Sequence, residues 1–101
     1  MNRFPYDRYY LTVLGTALPF SLPMSMDAIR TLMHANALDT VVIDRKDGMA
    51  KTVMLVDDAG HDKDLPVNVE ATRLYHAVCR PGTTHVIRGP VFICPDQDFG
   101  A

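Results

Sequence analysis

A chain of 101 residues is one domain, residues 1–101, and folding at this length removes roughly 65% of the unfolded surface from water, enough for a core without staples. The composition, 48% hydrophobic and 22% charged, is that of a globular protein and argues against a disordered chain. The formal net charge of −2 argues against a protein held to nucleic acid mainly by phosphate contacts, although Arg3, Arg8, Arg73, Arg80 and Arg88 remain available to converge in a fold.

Residues 1–7 and 96–101 lack periodic apolar positions and are expected to be flexible. Residues 9–14 are aromatic and β-branched and predict a first strand, ended by Gly15. Residues 17–23 hold Pro19 and Pro23 and predict an irregular apolar connector. Ser25 is an N-cap candidate, and Ile29, Leu32 and Met33 form an i, i+3, i+4 stripe. A first helix is therefore expected over 26–35, stopped by Asn36. Residues 40–45 and 51–56 predict two antiparallel strands around the Asp47-Gly48 turn signal. Both strands are apolar on both faces, so the hairpin is expected either inside a sheet or between helices and a partner.

A polar loop follows at 57–64. Pro66 and Asn68 then open a second helix, expected over 69–79, with Ala71, Leu74, Tyr75 and Val78 as one apolar stripe before Pro81 and Gly82. The last apolar run, 84–94, contains Gly89 and Pro90. Proline donates no ladder bond, so this strand is expected at an edge, bulged, or split. The resulting order is β-α-β-β-α-β, an α+β fold. It fits a ferredoxin-like plait or an antiparallel sheet with two helices on one face.

The residues that carry chemistry are few. The loop 57–64 holds Asp57, Asp58, Asp62, Asp64 and His61. Carboxylates suit hard cations, yet the twelve-residue calcium-loop spacing is missing, so a solvated loop outweighs a metal site at Asp57, Asp58, His61 and Asp62. His34, His61, His76 and His85 follow no zinc spacing. Arg73, His76 and Arg80 lie on the outer side of helix two, where they form either a solvated basic face or a contact for an anion or acidic partner. Cys79 and Cys94 read as buried free thiols, with a disulfide between them as the second possibility. Cys79 is also the sole nucleophile candidate of an enzyme reading. No cofactor motif occurs. The run 11–22 is too short and too interrupted to span a bilayer, and a cytoplasmic protein is expected.

Residues Pro66, Asn68, Ala71, Thr72, Leu74 and Tyr75, followed by Ile87, Gly89, Val91 and Ile93, write P-x-N-x-x-A-T-x-L-Y and I-x-G-x-V-x-I. Over residues 51–94 this resembles a domain-of-unknown-function family of bacterial, plasmid and phage proteins. The resemblance implies an accessory protein of a mobile genetic element and carries no activity with it. The expected function is therefore an accessory or regulatory protein that binds a protein partner, or itself as a homodimer through its sheet. The alternatives are a small hydrolase-like or metal-dependent enzyme using the 57–64 loop or Cys79, and a nucleic-acid-binding protein using Arg73, Arg80 and Arg88.

Overall fold

Every residue from Val53 to Leu55 and from Val91 to Cys94 is buried, so the strands that carry them have no solvent face and must be covered on both sides. The computed structural model describes residues 6–44, 51–60 and 62–99. In chain order it holds β1 (Tyr9–Leu11), β2 (Ala17–Pro19), α1 (Met26–Met33), β3 (Leu38–Asp44), β4 (Thr52–Asp57), α2 (Val69–His76), β5 (Val91–Pro95) and a 3-10 turn at Asp96–Phe99. The five strands make one sheet in the order β2-β1-β5-β4-β3, antiparallel at every pairing.

The fold is α+β, as expected, and the β-α-β-β-α-β order holds apart from the extra strand β2. The details of the sheet differ from a plait. β5 lies between β1 and β4, so no parallel crossover exists. The helices also take opposite faces, not one. Ala71 and Leu74 of α2 pack with Tyr9, Leu11, Met54, Val91 and Ile93. Ile29 and Met33 of α1 pack with Val53, Leu55, Phe92 and Cys94 on the other face. The physical reason is the apolar character of β4 and β5 on both faces: one helix covers each, and each fully buried large side chain contributes roughly 1.5–3 kcal/mol. The two faces of β4 are thus covered within one chain, whereas its hairpin partner β3 keeps Asp39, Thr40 and Val42 exposed.

Ser25 caps α1 as expected, accepting the Ala28 N–H at 3.1 Å. The helix stops at His34, in the left-handed conformation at φ 56°, rather than at Asn36. Ala35 is buried beneath the helix, so the chain must already have turned there. Asn68 caps α2. That helix ends at His76, before the expected 79; continued, it would set the Pro81 ring against the Ala77 carbonyl four residues back. Residues 77–79 tighten instead, with Val78 N–H donating to Tyr75 O and Cys79 N–H to His76 O.

Of the alternatives for the final run, an edge position does not hold, and the run is split, though not into a hairpin. Residues 84–90 carry only an isolated bridge, Val67 to Arg88. β5 begins at Val91, directly after Pro90, and runs through the sheet centre, so the missing proline N–H costs no ladder bond. Gly89 turns the chain at φ 82°, where a Cβ would stand 2.7 Å from Leu65 Cδ1. Within the 96–101 segment expected to be flexible, residues 96–99 form a 3-10 turn whose Asp98 takes both Arg8 Nε at 2.6 Å and Arg8 Nη2 at 2.8 Å, and residues 100–101 lie outside the described residues. This bidentate pair ties the turn to the residue ahead of β1. The Asp47-Gly48 turn and residues 1–5 lie outside the described residues.

Candidate functional site

The 57–64 loop is organised by one internal ion pair. Asp57 ends β4 with its side chain almost fully buried, accepting the Lys63 Nζ at 2.7 Å and the Ala59 N–H at 2.9 Å. Lys63 also donates to His34 O at 3.2 Å, at the end of α1. The Asp57–Lys63 pair therefore pins the loop to the end of α1. Asp58, Asp62 and Asp64 are exposed, and Asp64 reaches Arg88 at 3.8 Å. His61 lies outside the described residues. Among the described residues, no three His, Cys, Asp or Glu side chains stand where one ion could join them. Asp39, Asp58, His85 and Arg88 share the wall of a small pocket of about 150 Å³.

The basic side of α2 is dispersed among local contacts. Arg73 pairs with Glu70 at 2.8 Å. His76 is half-buried and its Nε2 donates to His85 O at 2.6 Å, with the Tyr75 ring against both imidazoles. Arg80 lies beyond the helix end, so its helical spacing from His76 is lost. Arg88 donates to Leu65 O at 3.0 Å. His76 thus fastens the segment 83–88 to α2.

Both cysteines are free thiols. Cys94 is buried on the α1 face, whereas Cys79 is half-exposed, contrary to the expectation that both are buried. Burial pushes the Cys94 thiol up to about 12, with the Asp98 carboxylate adding to the rise. The neighbouring Cys79 thiol in turn raises the Tyr75 phenol above its ordinary value. A raised thiol value means that the folded state keeps the Cys94 proton after the unfolded state has lost it. Its stabilising contribution is complete below the ordinary value of 9.0 and fades as pH rises towards about 12. Iodoacetamide at pH 8 is expected to label Cys79 first and to reach Cys94 only on unfolding, read by peptide mass. Equal labelling rates in the folded protein would contradict the burial argument.

The two margins of the sheet differ in what their backbones offer. Phe20 N–H donates to Arg8 O and Thr12 N–H to Thr16 O, so the even-numbered residues of β2 bond inward to β1. Ala17 and Pro19 therefore point their backbones outward, and Pro19 has no N–H. That edge is blunted. The prolines of residues 17–23 predict a connector. Ala17–Pro19 is instead a strand, because Pro19 falls where no inward donor is needed. Leu14, Leu18 and Leu22 are exposed along this margin, which is apolar but cannot extend the sheet.

The opposite margin is β3. Asp58 N–H donates to Ala37 O, which sets the alternation with β4: residues 39 and 41 bond inward, and Leu38, Thr40 and Val42 direct their N–H and C=O groups outward. The β4–β5 ladder agrees, since Asp96 N–H donates to Lys51 O and residues 53 and 55 of β4 then face β5. β3 has no proline, and among the described residues β4 is its one strand neighbour. Asp39, Thr40 and Val42 are exposed, Val42 by 38%. A seven-residue strand therefore presents an unbroken donor–acceptor row over Leu38, Thr40 and Val42, up to the irregularity between Val42 and Asp44. Sequence reading found this strand and missed its exposure, because strand order is not written in local residue pattern. The polar pair Asp39 and Thr40 at its start is the one local hint.

No protein-family model matches the chain, and no curated protein or solved structure shows significant similarity to it.

Proposed function

We propose that this chain is a small accessory or regulatory protein that acts by binding a protein partner, strand to strand, along the outer edge of β3. One observation carries the reading: the outward N–H and C=O groups of Leu38, Thr40 and Val42, on an exposed strand with no proline. Such an edge is a template for another strand, where backbone bonds supply affinity and alternate side chains supply selectivity. Val42 adds an apolar contact beside the row. An origin on a mobile element, the expectation from the sequence pattern of residues 51–94, is part of this proposal and is tested directly by the neighbouring genes.

A synthetic peptide of residues 37–43 is the probe for the edge. Titrated into dilute protein, it is expected to shift the amide resonances of Leu38, Thr40 and Val42 far more than those of Asp39 and Val41. Val42→Lys is expected to weaken that binding at least tenfold. No selective shift at millimolar peptide would overturn the reading.

A further inference from the structure

We infer that the strand taken up by the β3 edge is β3 of a second copy, in an antiparallel register centred on Thr40. This rests on the edge-binding reading above and adds the identity of the occupant. The first argument is closure. A sheet with two open edges can add copies without end, whereas a sheet with one open edge can only pair that edge with itself. Pro19 blunts the β2 edge and leaves β3 as the edge that accepts a strand, so self-association through the sheet stops at a two-fold dimer.

The second argument is self-complementarity. The residues with outward backbones are Leu38, Thr40 and Val42, and a two-fold pairing must set them against one another. Centring on Thr40 uses all three: Thr40 faces Thr40, and Leu38 of each copy faces Val42 of the other. Each pair exchanges both backbone bonds. Half-buried Leu38 and exposed Val42 then cover each other across the junction on the α1 face. Asp39 faces Val41 of the second copy. Centring on Asp39 instead would use fewer outward pairs and bring two carboxylates directly opposite, which is destabilising. Centring on Val41 likewise uses fewer outward pairs, so the register is selected by the number of backbone pairs and, against Asp39, by its acidic side chain.

Three measurements on the whole protein separate this inference from the reading beneath it. Light scattering is expected to give twice the chain mass at micromolar concentration. Val42→Lys and, separately, Thr40→Pro are expected to return the monomer mass with an unchanged far-ultraviolet spectrum. Thr40 bonds outward, so its proline variant removes no bond within the chain, and the lysine variant alters only an exposed side chain. Amide exchange of Leu38, Thr40 and Val42 is expected to slow as protein concentration rises. With Cys79→Ser as background, Thr40→Cys is expected to form an intermolecular disulfide on mild oxidation, since directly opposed Cα atoms lie about 5.5 Å apart. Asp39→Cys is not, because its two copies are offset to about 8 Å. A monomer whose edge amides still respond to the 37–43 peptide overturns the second copy and leaves edge binding standing. A monomer with no response to that peptide overturns both. A dimer cross-linked through Asp39→Cys but not Thr40→Cys overturns the register.

Discussion

Replacing Asn68 by alanine is expected to cost about 3 kcal/mol or more of folding stability, because one buried amide group serves three elements. Its Oδ1 accepts the Ala71 N–H at 3.0 Å and caps α2. Its Nδ2 donates to Leu11 O at 3.2 Å and to Gly89 O at 3.0 Å, joining β1 to the turn before β5. The side chain is fully buried, so no water replaces it. Truncation strands the Ala71 donor and takes a bond from each of two buried carbonyls, Leu11 keeping its ladder bond to β5; a buried orphan costs about 1–3 kcal/mol, against a total stability for a domain of roughly 5–15 kcal/mol. Asn68→Asp separates the two roles. It keeps the capping oxygen but sets a carboxylate against two carbonyl oxygens, so it is expected to be as harmful as alanine at pH 7 and to recover in part near pH 4, where a protonated carboxyl can donate. Urea denaturation at both pH values reads the outcome. An alanine variant within about 1 kcal/mol of the wild type, or an aspartate variant indifferent to pH, would contradict this account of the joint.

Phe92→Ala is the second large effect, with an expected loss of about 3–5 kcal/mol. Phe92 lies in the central strand, opposite Tyr10 of β1 and Leu55 of β4. It is fully buried on the α1 face, and its ring meets that of Phe20 with centroids 5.3 Å apart. The cavity left by truncation opens beneath α1, and the Phe20 ring loses its partner. Phe20 is only half-buried, so Phe20→Ala is expected to cost less. The helix should also loosen selectively: amides of α1 are expected to exchange faster in Phe92→Ala, while those of α2, docked on the opposite face, change only with the global stability. Uniform acceleration of both helices would show that the two faces unfold as one unit. A loss below about 1.5 kcal/mol would mean that the core closes over the gap.

Asn68 and Phe92 also mark how far local pattern reaches. Asn68 is legible as a cap from its place before an apolar stripe, since capping depends on residues two or three positions away. Its bonds to Leu11 and Gly89 are not legible, because those partners lie far along the chain. The same division runs through the candidate sites. The acidic loop at 57–64 is plain in composition, but the Asp57–Lys63 pair that ties it to α1 needs the third dimension. Arg73, His76 and Arg80 look like one basic face at helical spacing. The helix ends at His76, Arg73 turns to Glu70, and His76 turns to the backbone of His85, so the spacing lost its geometric basis.

By itself, the chain of residues determined the α+β class, the caps at Ser25 and Asn68, the apolar stripes of both helices apart from Val78, which is exposed beyond the end of α2, and the two-sided apolar character of β4. These are consequences of neighbours within a turn or two of chain, where propensity and periodicity act. Only the tertiary structure decided that the helices lie on opposite faces, that β5 and not β1 fills the sheet centre, that a proline-bearing segment becomes the blunt edge β2, and that β3 is left with an outward row of backbone donors and acceptors. Those outcomes depend on which strands meet, and that is set by the joint burial of surfaces from the whole chain. The edge that carries the proposed function belongs to this second kind: Leu38, Thr40 and Val42 are ordinary strand residues until the strand order leaves them on the outside.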